Sequence, residues 1–302
     1  MDEEKLRTEL GASLWRLVTA VGAPLVTAEE ITVVPANGMR KTYRLRFADG
    51  QTLKGRSFRT PVLAEVARRI HERAGVSLLA RLLAHRGEAV LEEWIAGEVL
   101  VQGRVGPALL QRAGQTLGSL HRCPPPATDD LDFHPLDIQG WARKTAENLR
   151  ALRDRGSISS RRADRLRQLV RSCMPSTATL GVVHRDLCPE NLLTDPSGRL
   201  VSVDNGSLTI GTIDEDLCRV WYRWPMNAEE QRAFVDGYRE YGDPAGFRQP
   251  SPFWVMVVMI DSARARLGVS ASMAATVLHR FDQFLAEKGY ECSADLPIRG
   301  SA

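Results

Sequence analysis

The sequence predicts an α+β protein of two unequal lobes, a small antiparallel β lobe over residues 1–95 and a larger, mostly helical lobe over 96–302. Three observations predict it. Residues 43–47 alternate Tyr43, Leu45 and Phe47 with Arg44 and Arg46 ahead of Asp49-Gly50, the pattern of a half-buried hairpin. Beyond about residue 98 the apolar residues recur mostly at helical spacing. Near residue 180 the helical pattern breaks off into two short strand-like runs around a polar loop, "VHRDLCPEN".

Taken in order, residues 2–21 place Leu6, Leu10, Leu14, Leu17 and Val18 on one face of a leading amphipathic helix. Strand character starts near residue 30. Asp49-Gly50 predicts a two-residue hairpin connection into "QTLKGRSF". Thr60 and Pro61 mark the start of a helix carrying Val62, Val66 and Ile70. "EAVLEEWIAGE" at 88–98 reads as a short strand ending in a loop.

Three helical stretches follow, "GPALLQRAGQTLGSLHRC", "LDIQGWARKTAENLRALRDRG" and "SSRRADRLRQLVRSCM", with the Pro-rich "CPPPATDDLDFHP" as a loop between the first two. Further helices close the chain after the polar segment. The longest apolar run, "FWVMVVMI" at 253–260, is too short to span a bilayer and reads as part of a buried helix.

Composition narrows the function classes. Hydrophobic content of 43% with 25% charged residues is ordinary for a soluble globular protein. A net charge of +3 gives no general electrostatic case for nucleic acid or membrane as a partner. Five scattered cysteines without a CxxC pair favour free thiols in a reducing cytoplasm. The acidic start (Asp2, Glu3, Glu4) has the wrong charge for a signal peptide.

The polar segment carries the chemistry. Asp186 and Asn191 lie five positions apart in one loop, and Asp204 follows the next strand-like run. Two carboxylates and an amide oxygen form a hard-oxygen set suited to Mg²⁺ shared with phosphate. A carboxylate left free of the metal can orient a hydroxyl and accept its proton. Phosphoryl transfer asks for little more than a cation for the nucleotide phosphates. Lys54 is the candidate, because only five of the 40 basic residues are Lys and this one sits inside a strand.

"VVHRDLCPENLL" followed by "VSVDNG" resembles the catalytic and metal loops of the aminoglycoside phosphotransferase and choline kinase-like family, the small-molecule branch of the protein-kinase-like fold. "KTYRLRFADGQTLKGR" is similar to that family's early strands, "LEEWIAGEVL" to its hinge, and "IDEDLCRVW" and "FVDGYREYG" to its late helices. The resemblance implies an enzyme that uses ATP (or GTP) and Mg²⁺ to phosphorylate a hydroxyl. Asp186 is then the catalytic base, Asn191 and Asp204 ligate Mg²⁺, and Lys54 contacts the α- and β-phosphates. Glu65 is the expected ion-pair partner of Lys54, with Glu72 two turns later as the alternative. His184 holds the loop, Asp216 anchors a helix, and backbone groups near Glu93 and Ile95 face the base of the nucleotide. Lys41 is a second candidate for phosphate contact.

The chain departs from the family pattern in four places, the open choice between Glu65 and Glu72 being one. Arg185 stands where the small-molecule enzymes more often have Gly, and HRD is the spelling of protein kinases, which makes a protein kinase-like activity the alternative. Asn205 replaces the Phe of Asp-Phe-Gly, and Gly38 alone serves the phosphate-covering turn; both keep a non-catalytic nucleotide-binding scaffold in view.

Up to residue 90 the chain has 15 basic and 10 acidic residues, against 25 and 27 after it. Asp214, Glu215, Glu229 and Glu230 offer either a site for a cationic acceptor or solvated helix and loop charges. "WYRWP" at 221–225 offers either a stacking wall or core packing.

Overall fold

The structure, a computed structural model, describes residues 3–32, 41–74 and 79–290. The expected leading helix is two helices, α1 (Glu3–Leu10) and α2 (Ala12–Thr19). Gly11, between them, takes a left-handed φ of 76°, which breaks the helix while Leu6, Leu10, Leu14, Leu17 and Val18 all stay buried. The strands β1 (Leu25–Glu30), β2 (Thr42–Phe47), β3 (Thr52–Ser57), β4 (Leu82–Arg86) and β5 (Ala89–Glu93) form one antiparallel sheet in the order β1-β2-β3-β5-β4.

The hairpin loop closed by Phe47 and Gln51 has three residues, 48–50, rather than the expected two. The Phe47 N–H bonds to the Gln51 carbonyl (2.9 Å) and the Gly50 N–H to the Phe47 carbonyl (3.1 Å), with Gly50 at φ 85°. That is a turn followed by a glycine bulge, the next commonest way to close a hairpin.

Strand alternation sorts the sheet into two faces. Tyr43, Leu45, Phe47, Leu53 and Leu91 pack against α1 and α2. Lys54 and Arg56 on β3, with Val90 and Glu92 on β5, take the other face. There α3 (Pro61–Ala74) packs Ala64 and Ala67 on Val90 and Phe58. Val66 and Ile70 of α3 reach further, to Leu120, Val182 and Ile210 of the helical part.

That part contains β6 (Glu98–Val99), α4 (Pro107–Arg122), α5 (Ile138–Asp154) and α6 (Ser160–Ser172), then β7 (Leu180–Val183), β8 (Leu192–Thr194), β9 (Leu200–Ser202) and β10 (Thr209–Thr212). It ends with α7 (Ile213–Arg223), α8 (Ala228–Arg239), α9 (Ala245–Arg248), α10 (Pro252–Leu267) and α11 (Ala271–Glu287). Side chains of Asp137, Ser159, Asn227 and Ser270 cap α5, α6, α8 and α11.

Helix α10 is buried over its whole run from Phe253 to Ile260 and forms the axis around which α5, α6 and α11 pack. A helix enclosed by neighbours is apolar all round. Among the described residues no helix is long and apolar enough to cross a membrane. The small strands position the site: β7 pairs with β10, and β8 lies between β6 and β9, so the β7–β8 and β9–β10 loops emerge together.

Candidate active site

The β7–β8 loop is held from beneath by Asp216 of α7, which is fully buried. Its Oδ2 accepts from the His184 N–H (2.7 Å) and its Oδ1 from the Arg185 N–H (2.7 Å), while His121 Nε2 of α4 lies 3.1 Å from Oδ2. Burial pushes the Asp216 carboxyl up, but the hydrogen bonds from His121 and His184 outweigh it and leave it below its ordinary value.

His184 joins this loop to the next. Its Nδ1 accepts from the Asp186 N–H (3.3 Å), so Nε2 carries the proton and donates to Ser202 Oγ (2.6 Å). Ser202 Oγ in turn donates to Asn205 Oδ1 (2.9 Å), and Asn205 Nδ2 returns to the Ser202 carbonyl (3.1 Å). Asn205 therefore takes a hydrogen-bonding place in the Asp-x-Gly turn, in a buried polar chain with every member paired.

Asp186 projects from this anchored loop. Asn191 Nδ2 donates to its backbone carbonyl (2.7 Å) and to its Oδ2 (3.0 Å), and Arg223 of α7 faces Oδ1 at 3.3 Å. The Asn191 carbonyl accepts from the Val203 N–H (3.0 Å), and Lys54 Nζ donates to the Val203 carbonyl. Asp204 is next, with its side chain 55% exposed. Asp186, Asn191, Asp204 and Lys54 thus meet in one continuous set of contacts, although Lys54 and Val203 are 149 positions apart.

The partner of Lys54 differs from the expectation. Its carboxylate is Glu92 of β5, 3.7 Å away and 1% exposed, not Glu65. The register sets this, because Lys54 and Glu92 are cross-strand neighbours on the face opposite α1 and α2. Glu65 is turned instead to Arg68 (2.7 Å) and Arg69 (2.8 Å) on its own helix, and Glu72 to Arg68. From α3 it is His71 that reaches Glu92, at 3.8 Å. Burial lowers the Lys54 ammonium to about 8, helped by repulsion from Arg56 and opposed by Glu92 and Asp204. Burial likewise raises the Asp204 carboxyl, but Arg56 and Lys54 hold it well below the carboxylate range.

Arg56 escaped the sequence reading, yet its Nη1 donates to Asp204 Oδ1 at 2.9 Å. The available signal was its i+2 spacing from Lys54, which in a strand means the same face.

Lys41 lies elsewhere, exposed, 3.6 Å from Glu30; Gly38 and the proposed phosphate-covering turn fall outside the described residues. Glu93 Oε1 accepts from the Arg81 N–H (2.7 Å), and no hydrogen bond joins the Ile95 backbone to another described residue.

Of the acids expected to receive a cationic acceptor, Glu215 and Glu230 are otherwise engaged, while Glu229 is exposed. Glu215 is fully buried between Arg219 and Arg185 Nε (3.4 Å), and Glu230 closes the capping box on Asn227 (2.8 Å). The Asp214 carboxyl is pushed up by burial and by neighbouring Asp243. Tyr222 and Trp224 are core residues, at 4% and 2% exposure. Arg185 pairs with Glu215 and lies over the Trp141 ring (5.1 Å), which accounts for it without a protein substrate.

A divalent metal is implied by the loop pattern, and the donor set fits one. Asn191 spends its amide hydrogens on Asp186, which leaves its Oδ1 and the Asp204 carboxylate as hard-oxygen donors. No group of three or more His, Cys, Asp or Glu among the described residues could hold a metal by itself, so this pair suits an ion completed by phosphate and water.

Residues 61–253 match the phosphotransferase enzyme family. No curated protein matches the chain. Solved structures share its fold at low identity. A choline/ethanolamine kinase family protein from Mesorhizobium loti has 17% identity and a TM-score of 0.64, with 96% of this chain and 97% of that one covered. Aminoglycoside phosphotransferase APH(4)-Ia, a thermostable mutant, has 14% identity and a TM-score of 0.64 over 90% and 98%. Spectinomycin phosphotransferase APH(9)-Ia, solved with ADP and spectinomycin, has 13% identity and a TM-score of 0.58 over 91% and 93%.

Proposed function

The chain belongs to the phosphotransferase enzyme family, and on that premise we propose that it transfers the γ-phosphoryl group of ATP, bound with Mg²⁺, to a hydroxyl of a small molecule. One observation carries the reading: Asp186, Asn191, Asp204 and Lys54, from two loops and a strand of the other lobe, converge through Val203.

Asp186 holds the acceptor hydroxyl and takes its proton; Asn191 fixes the carboxylate by donating to Oδ2. Asn191 Oδ1 and Asp204 would hold the metal, which neutralises charge on the phosphates when bound. Lys54, kept in place by Glu92, supplies positive charge to the same phosphates. Ile95, two residues after β5, would offer the nucleotide base backbone groups that have no hydrogen-bond partner among the described residues. His184 and Asp216 act by fixing the loop. Catalysis of this kind is positioning and electrostatics, which matches a base held by a rigid scaffold.

The acceptor class is tested by following ADP release across aminoglycosides, macrolides, choline-like amines and sugars, with Asp186→Asn as control. At least one acceptor should be phosphorylated, and the variant should lose on the order of 10²–10⁴-fold in rate while keeping its fold. Near-normal transfer by Asp186→Asn would remove Asp186 as the base. Turnover with GTP but not ATP would change the donor and leave the residue roles standing.

A further inference from the structure

The metal-site carboxylate already has a cation. Arg56 Nη1 donates to Asp204 Oδ1 at 2.9 Å, and Arg56 is only 2% exposed. The rest of the guanidinium is poorly served: Nε and Nη2 are buried without a hydrogen-bond partner among the described residues, and Glu92 Oε2, 3.7 Å from Nη2, likewise forms no hydrogen bond to them. Buried donors left unpaired are costly, and a planar fork with free N–H groups is suited to phosphate oxygens. The approach depends on Gly206, where a Cβ would fall 2.1 Å from Arg56 Nη1.

Charge makes the set closed. Lys54 and Arg56 face Glu92 and Asp204, two cations against two carboxylates. A divalent ion arriving alone would set two further positive charges beside Arg56 and bring no anion. Phosphates arriving with it would give the free guanidinium N–H groups acceptors and release Asp204 to the metal.

We propose that Arg56 is the resident counter-ion of Asp204 and gives that carboxylate up only when nucleotide phosphates arrive to take the guanidinium, so that metal and nucleotide bind together. The inference rests on the nucleotide-binding reading above. It makes Arg56 a positioning residue that sets the order of binding, distinct from Lys54, whose Nζ contacts Val203 and Glu92 rather than the metal-site carboxylate.

The test measures Mn²⁺ binding to the full chain by electron paramagnetic resonance, with and without ADP. The wild-type protein should bind Mn²⁺ weakly alone and on the order of 100-fold more tightly with ADP. Arg56→Met should bind Mn²⁺ alone about tenfold more tightly than wild type, and the ADP enhancement should shrink by a similar factor. Gly206→Ala should move both quantities in the same direction, because it displaces the guanidinium without removing charge, and it keeps the test open if Arg56→Met fails to fold. Thermal unfolding establishes that each variant is native. Equal Mn²⁺ affinity of wild type and a folded variant without ADP, with Mn²⁺–ADP binding intact, overturns the role of Arg56 alone. A wild-type protein that binds no Mn²⁺–ADP overturns the nucleotide reading and this inference with it.

Discussion

Arg185 occupies a left-handed backbone position, φ 64°, and is the one residue other than glycine with positive φ among those described. The turn delivers two successive N–H groups to Asp216 and puts residue 185 in a conformation that glycine adopts without strain. Here a side chain is kept despite the strain, and it goes to buried Glu215 and to Trp141. Arg185→Ala and Arg185→Gly lose the same side-chain contacts, but only Ala keeps the strain. Denaturant unfolding should therefore find the Ala variant about 1 kcal/mol less stable than the Gly variant, the scale of a left-handed penalty. Equal stabilities would mean that the backbone relaxes when the arginine is gone. The letter itself was visible in the sequence as a departure; its cause was not, because a φ angle is a property of the folded loop.

At the scale of elements, α3 was legible and its role was not. Thr60-Pro61 and the spacing of Val66 and Ile70 fix the helix, but its acid ties it elsewhere than to Lys54. Glu65 grips Arg68 and Arg69, and Arg69 carries the link on to Asp130 (2.6 Å) in the loop after α4. Hydrogen bonding from Arg68, then from Arg69, overcomes burial and lowers the Glu65 carboxyl from 4.5 to about 2. A depressed folded-state value means stability that is present in full above about 4.5 and lost as pH falls toward 2. Unfolding curves of wild type and Glu65→Gln should differ at pH 7 and converge by about pH 2. A constant gap down to that pH would show that the ion pairs carry none of the difference. The partner that Lys54 does have, Glu92, depended on strand register, which one sequence does not specify.

For the whole molecule, Asp216 is where the parts are joined. It receives the β7–β8 loop through two backbone N–H groups and α4 through His121, whose Nδ1 accepts from Tyr238 of α8 (2.7 Å). Asp216→Asn turns an amide N–H₂ toward one of these donors and removes the charge that the others bind. It should lower stability by about 3 kcal/mol, since hydrogen bonds to a charged group are worth about 1.5–3 kcal/mol each. It should also reduce phosphoryl transfer, whereas Asp186→Asn should reduce transfer alone. Calorimetry and ADP release on the two variants together check the separation, and a stable, inactive Asp216→Asn would move that residue into the chemistry.

By itself, the sequence determined the two-lobed architecture, the helices with strong periodicity and the polar loop residues, because those depend on local spacing: Tyr43-Leu45-Phe47 for the sheet, Phe253–Ile260 for a buried helix, Asp186 and Asn191 within one loop. Gly11 and Gly50 were visible as letters, but how each bends the chain there was settled only in the folded backbone. The choice of Glu92 over Glu65, the placing of Arg56 against Asp204, and the withdrawal of Glu215 and Glu230 from any acceptor belong to the tertiary structure alone. Each is decided by which charge lies nearest across a strand, a lobe or a helix, and electrostatic energy depends on distance in space rather than along the chain.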